Sequence, residues 1–203
     1  MTIYAIVNDL LNTSHEPALE QTSPVWTLIS PAGILQGGNP YFVPDFDSRF
    51  EARLSLAMRI GKLGKGIARR FAGRYVEAVA PAVVFVATDL LQVLKTSGFP
   101  WASAISYDRC LALGKFTPMP YDEIDGCECS LEIYNTDSDD IITCKKESRV
   151  RLEEIIEAIS RDNTLKTGDI LLTGLSRTGP QVFPGQRATL KLNGEESMRF
   201  NIR

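Results

Sequence analysis

The stretch RFEARLSLAMRI, residues 49–60, sets an acid, a guanidinium and a hydroxyl at alternate positions: Glu51, Arg53 and Ser55, followed by Ala57 and Arg59. A period of two is that of a β-strand, so these side chains share one face, opposite Phe50, Ala52, Leu54, Leu56, Met58 and Ile60. An arginine and a serine in the middle of the second face of so apolar a strand need either a ligand or a structural partner, and Glu51 and Asp108 are the acids that could pair with Arg53. The other reactive residues form no constellation of their own. Cys110, Cys127, Cys129 and Cys144 lack the paired C-x-x-C spacing of a zinc framework and read as small buried or edge thiols in a reducing compartment. His15, the sole histidine, stands in a loop before Glu16 and Pro17, and no motif sets a serine or cysteine nucleophile beside it. The acidic stretch with Asp137, Asp139 and Asp140 lacks the twelve-residue calcium loop and its closing glutamate, so it reads as a solvated turn. GLSRTG (174–179) is no dinucleotide fingerprint, because no helix follows it.

Composition narrows the classes. A chain of 203 residues with 44% hydrophobic content can bury a core and is expected to form one domain over 1–203, with 1–40 a loop-rich N-terminal segment. A formal charge of -3 leaves no basic surplus for displacing counterions from nucleic acid. The basic run at 59–74 reads as the solvated face of a helix. No apolar run is long enough to span a membrane and the first residues lack a signal-peptide pattern, so the expected location is the cytoplasm.

The elements that must position these residues alternate between strand and helix. Residues 3–7 and 25–29 read as short strands and 50–60 as a long one. Gly64 and Gly66 lead into an expected helix with Ile67, Phe71, Ala72, Tyr75, Val76 and Val79 inward, stopped by Pro81. AVVFVA (82–87) is a strand buried on both faces, and Thr88 is expected to cap a helix over 89–97. A hairpin pairs CSLEIYN with IITCKK. Ser148 is expected to cap a helix over 149–162, and DILLTG, RATLKLN and SMRFNIR close the chain as strands, the last two joined at Asn193-Gly194. The expected class is α+β, dominated by strands.

The tail TLKTGDILLTGLSRTGPQVFPGQRATLKLNG resembles the C-terminal signature of the fumarylacetoacetate hydrolase family, in which a TLKPGD turn leads into ILTGTP and a later PGD. PYFVPDF, the 50–60 strand with GKLGKGIARRFAGRY, TDLLQ, GFPW and SYDRCLALG follow in the family's order. The resemblance implies a rolled, mixed β-sheet with a few short helices, usually a homodimer. It also implies cleavage, rearrangement or decarboxylation of small oxo acids at a Mg²⁺ or Mn²⁺ ion held by two glutamates spaced E-x-E and an aspartate.

Carried onto this chain, the resemblance aligns the two glutamates with Arg53 and Ser55, the aspartate with Val84, and a family lysine with Ile105. Asp89 and Asp108 are retained; the structural alternatives to a family role are that Asp89 serves the N-terminal turn of the 89–97 helix and that Asp108 is a buried acceptor. A His-x-x-Glu lid pair falls near Asn12 and His15. Thr173 and Gly174 match the tail signature, which then departs at Leu175 and Ser176, while Gly168, Gly174 and Gly179 serve turns. A cation at Arg53 would repel a dication by on the order of several kcal/mol at an effective dielectric near 20.

Three readings follow. In the first, the chain is a non-catalytic member that keeps the fold for binding or assembly, as a homodimer or paired with a related member, with no cofactor. In the second, Arg53 replaces the cation and grips a small carboxylate by its fork, with Ser55, Asp108 and Thr173 as neighbours. In the third, an active hydrolase, isomerase or decarboxylase recruits other ligands for Mg²⁺ or Mn²⁺, with Glu51, Asp89 and Asp108 as candidates.

Overall fold

The computed structural model describes residues 1–8, 24–124, 126–135, 141–145 and 151–203. Its strands are β1 (Ile3–Ile6), β2 (Trp26–Ile29), β3 (Ile34–Leu35), β4 (Phe50–Ile60), β5 (Val76–Ala87), β6 (Leu111–Leu113), β7 (Thr117–Pro118), β8 (Cys129–Asn135), β9 (Ile141–Lys145), β10 (Ile170–Leu172), β11 (Gln186–Leu192) and β12 (Glu195–Asn201). The α-helices are α1 (Thr88–Thr96), α2 (Tyr121–Ile124) and α3 (Leu152–Asp162). Eight strands form a mixed sheet in the order β2-β1-β10-β4-β5-β6-β3, with β7 beside β5. Four form an antiparallel sheet, β12-β11-β8-β9.

The long antiparallel pair of β4 and β5 is the spine. Its register sets Glu51 opposite Val86, Arg53 opposite Val84 and Ser55 opposite Ala82. The intervening residues, among them Leu54, Val83 and Phe85, lie on the opposite face, where Tyr41 stacks on Phe85 at 3.7 Å between ring centroids and Phe200 of β12 meets it edge-on at 6.0 Å. The face of Leu54, Val83 and Phe85 therefore looks toward the smaller sheet and carries the inter-sheet core, and the face of Glu51, Arg53 and Ser55 looks away from it. Turning away does not expose those residues, because β4 is buried on both faces.

Several expectations are corrected. No α-helix follows Gly66. A 3-10 segment, Arg69–Tyr75, ends as β5 begins at Val76, so Val76 and Val79 belong to a strand and Phe71 is partly exposed. Eleven residues of β4 require a partner of matching length, and that pairing overrides the helical spacing. Pro81 does not stop an element: it sits inside β5, and its carbonyl accepts from the Gly114 N–H at 2.9 Å. The carbonyl and nitrogen of one strand residue face the same side, so the missing N–H falls at the break between β6 and β7. Thr88 does not cap α1, since its Oγ1 donates to the Arg49 carbonyl at 3.0 Å; Asp47 Oδ2 instead accepts from the Leu90 N–H at 3.0 Å. The last helix starts at Leu152, and Ser148 lies outside the described residues, as do Asn12, His15, Asp137, Asp139 and Asp140.

Other elements follow the sequence closely. The β11–β12 turn has φ 51° at Asn193 and 83° at Gly194, the left-handed pair that a two-residue hairpin needs and that Asn-Gly adopts readily. All four cysteines are free, Cys110 and Cys129 buried and Cys127 and Cys144 half-buried. No helix among the described residues is long and apolar enough to cross a membrane.

Candidate functional site

Glu51 and Arg53 project from β4 two residues apart, and their side chains meet at 2.7 Å, Arg53 Nη2 donating to Glu51 Oε2. Both residues are 6% exposed. The other carboxylate oxygen takes Arg49, whose Nη2 and Nε lie 2.6 and 3.1 Å from Oε1. One acid thus lies between two guanidiniums. Burial pulls the Arg53 guanidinium below its usual pKa, with Glu51 opposing the shift and Arg49 adding to it. Arg49, half exposed, is held above its usual value by the hydrogen bonds it donates to Glu51 and then by the charge of that carboxylate.

Arg53 is also tied to the chain that leaves β10. Its Nη1 donates to the Ser176 carbonyl at 3.1 Å, and Ser176 Oγ accepts from the Leu54 N–H at 3.1 Å. The segment rejoins β4 where Ala52 N–H donates to the Pro180 carbonyl at 2.9 Å. Between these contacts Gly179 lies flat on the strand, and a Cβ there would stand 2.0 Å from the Ala52 oxygen. The close approach requires glycine. The Nε–H of this arginine is buried and has no hydrogen-bond partner among the described residues.

The other expected residues fall as follows. Ser55 is fully buried, and its Oγ makes only a long contact, 3.4 Å, to the Leu56 carbonyl. Val84, directly across from Arg53, and Ile105 and Leu175 are fully buried in the apolar core. Thr173 is buried, its N–H donating to the Leu56 carbonyl at 2.9 Å, and Gly174 follows it off β10. Asp108 is exposed rather than buried, and the acceptors bonded to the Arg53 fork are Glu51 and Ser176. Arg53, Ser55 and Val84 thus share one face of β4 and β5, whereas Asp108 does not act as a buried acceptor. Asp89 stands in the first turn of α1 and accepts from Ser48 Oγ at 2.7 Å.

The side chains on this face do not fit a hard dication. A guanidinium has no lone pair to give, valine has no donor atom, and Ser55 offers one neutral hydroxyl. Both oxygens of Glu51 are engaged by arginines. Among the described residues, no three His, Cys, Asp or Glu side chains converge as a metal site would require. What the arrangement can do is set charged groups of both signs beside one another, Arg49, Arg53 and Lys95 with Glu51 and Asp89. A pocket of about 270 Å³ opens between β4 and α1, walled by Arg49 and Arg53 on one side and by Thr88, Gln92 and Lys95 on the other. Arg49, Gln92 and Lys95 were not singled out from the sequence. Their signal is periodicity: Arg49, just before β4, continues the alternation of Glu51 and Arg53, while Thr88, Gln92 and Lys95 fall at i, i+4 and i+7 of a helix.

A two-sheet α+β fold whose long central hairpin carries the candidate site defines the class. Within it, the chain belongs to the fumarylacetoacetate (FAA) hydrolase C-terminal family, whose profile matches residues 5–202. It is 28% identical over 173 residues to a mitochondrial oxaloacetate decarboxylase of Dictyostelium discoideum, covering 83% of this chain and 78% of that protein. It is 24% identical over 168 residues to a mitochondrial oxaloacetate tautomerase of Mus musculus, covering 82% and 75%. Among solved structures, a fumarylacetoacetate hydrolase family protein of Yersinia pestis superposes with a TM-score of 0.84 at 20% identity, covering 100% of this chain and 93% of that one. A fumarylpyruvate hydrolase of Pseudomonas aeruginosa, solved with Mn²⁺ and pyruvate, gives 0.80 at 17% identity, covering 100% and 89%. The expected rolled, strand-dominated fold is thereby established.

Proposed function

We propose that this chain keeps the FAA hydrolase fold for binding or assembly and does not carry out the family's metal-dependent chemistry. The observation that carries this reading is the buried Glu51–Arg53 pair at 2.7 Å, which sets an arginine, not a carboxylate, where the family resemblance aligns a metal ligand. Val84 across the strand pair and Ser55 on the same face support it, since neither can replace a lost anionic ligand. Assembly takes the form of a homodimer or of pairing with a related family member, and the cytoplasm is the proposed location; light scattering of the purified chain, alone and mixed with a relative, tests the first.

A second reading, an active enzyme on a small oxo acid, draws on the relatives named for oxaloacetate decarboxylation and tautomerisation. Thermal unfolding in Mg²⁺ or Mn²⁺ against EDTA, run beside an assay of oxaloacetate decarboxylation and tautomerisation, separates the two. A native metal site at about 100 times its Kd adds roughly 2.7 kcal/mol. The proposed reading expects no such gain and no metal-dependent turnover; a metal-dependent rise with turnover establishes the enzyme instead.

A further inference from the structure

We infer that the outer edge of β9 is a pairing surface for a second copy of this chain, the two strands running antiparallel about a two-fold axis at Thr143. The inference deepens the assembly reading above and rests on it, adding the surface and the register. Its first support is an open edge. In the smaller sheet, β12-β11-β8-β9, the far edge is covered where β12 ends. There the Tyr41 and Val43 N–H groups donate to the Asn201 and Arg203 carbonyls at 2.9 and 2.7 Å, and the Arg203 N–H donates to the Tyr41 carbonyl at 2.8 Å. β9 pairs with β8 and with no other strand among the described residues, so its outer row of N–H and C=O groups can accept a strand from outside.

The second support is where the apolar residues stand. The register sets Ile142 opposite Ile133 and Cys144 opposite Leu131, and both Ile133 and Leu131 are core residues, 1% exposed. Ile142 and Cys144 thus carry the core face of the sheet one strand further. Yet Ile142 is 45% exposed, and Ile141 on the opposite face is 62% exposed. Adjacent isoleucines on an open edge are what monomeric sheets guard against with charge or proline along the strand. Charge stands at the two ends instead and selects the orientation. The segment DDIITCKK, residues 139–146, runs from acid to base. Parallel copies bring like ends together, whereas antiparallel copies set the acidic end of one beside the basic end of the other, so a second copy is the complementary partner.

Symmetry then fixes the register. A two-fold axis between antiparallel edges stands perpendicular to the sheet and leaves both core faces on the same side, so one residue faces its own copy at the centre. Centring on Thr143 is the choice that pairs the whole of β9, Ile141–Lys145. It sets Thr143 opposite Thr143, Ile142 opposite Cys144 and Ile141 opposite Lys145, a threonine pair flanked by apolar pairs on the core face. The two smaller sheets become one. A strand of 5 residues on each side buries less than a standard interface, so the dimer is weak and reversible.

The test uses the full chain in EDTA, with sedimentation equilibrium up to about 1 mM and amide exchange at low and high concentration. The variants are Ile141→Lys and Ile141→Glu. This side chain is exposed, so both keep the fold, which thermal unfolding of each verifies. In the paired edge the new lysine meets Lys145 of the second copy, and the new glutamate is its counter-ion, at both ends of the ladder. The expected result is a concentration-dependent dimer with slowed exchange at residues 141–145. Two like-charged pairs against two opposite ones make Ile141→Lys associate at least about tenfold more weakly than Ile141→Glu, and the gap narrows in high salt. Net charge alone gives the reverse order, because the chain already carries -3 and the glutamate adds to that repulsion. A monomer throughout, equal association by the two variants, or unchanged exchange at 141–145 in the dimer overturns the inference. The last two leave the homodimer reading standing on another face, and none of the three touches the metal titration, so the failures are told apart.

Discussion

The carboxylate of Glu51 lies between two guanidiniums, 2.6 Å from Arg49 Nη2 and 2.7 Å from Arg53 Nη2, with the Arg53 side chain almost wholly out of solvent. Replacing Glu51 by Gln strands the buried Arg53 charge, and breaking such a pair costs about 3–5 kcal/mol. Urea unfolding of Glu51→Gln is expected to show a lowered midpoint with unchanged slope. The double variant Glu51→Leu with Arg53→Met, which removes both charges, is expected to lose less than Glu51→Gln alone.

If the cation site was dismantled at Arg53, Ser55 and Val84, restoring its carboxylates should rebuild it. Those three positions share one face, with Arg53 and Val84 cross-strand neighbours. The variant carrying Arg53→Glu, Ser55→Glu and Val84→Asp is expected to be less stable in EDTA, through like-charge repulsion and burial. It is also expected to gain a Mn²⁺-dependent rise in Tm of several degrees that the parent lacks. Equal Mn²⁺ responses in both proteins would refute the assignment of these positions.

Gly179→Ala places a methyl group within 2.0 Å of the Ala52 carbonyl, a backbone atom that β4 holds in place. The segment must lift, and the Arg53–Ser176 bond 3.1 Å long goes with it. A loss of about 2–3 kcal/mol is expected from the overpacking, read by denaturant unfolding, together with faster amide exchange at Ser176 and Ala52.

Burial raises the Cys110 thiol from 9.0 to about 11. The folded state therefore holds its proton while the unfolded chain releases it, so this residue's stabilisation is complete below pH 9 and is lost as pH rises toward 11. Two pKa units correspond to on the order of 2–3 kcal/mol. Cys110→Ala is expected to show a shallower decline in stability between pH 9 and 11 than the parent. At pH 8 iodoacetamide should label the half-buried Cys127 and Cys144 well before Cys110, a difference that mass spectrometry of the native protein reads directly.

Local pattern carried most of the fold. The alternation from Phe50 to Ile60 appears as β4 with the same bounds, and Asn193-Gly194 turns the last hairpin as its residue types require. The failures came where pairing at long range decides. Val76 and Val79 fit a helical stripe as well as a strand, and only the length of β4 selects between them. Pro81 is a breaker unless the neighbouring edge happens to lack a strand at its nitrogen. For the site, the alternation of Glu51 and Arg53 was legible as a shared face. The convergence of Arg49 with Gln92 and Lys95 was not, because it arises from a loop and a helix that meet only after folding.

The position of β1 sets a timetable for folding. Ile3–Ile6 lie inside the larger sheet, with β2 on one side and β10 on the other, and the Thr2 N–H is anchored on Asp169, 167 residues away. The parallel partner, Ile170–Leu172, does not exist until most of the chain has been synthesised. At about 5–20 residues per second, the start of the chain waits roughly 10–30 s with one edge of an apolar strand unpaired. During that interval the apolar edge of β1 is open to other apolar chains, and the larger sheet closes only once β10 has emerged.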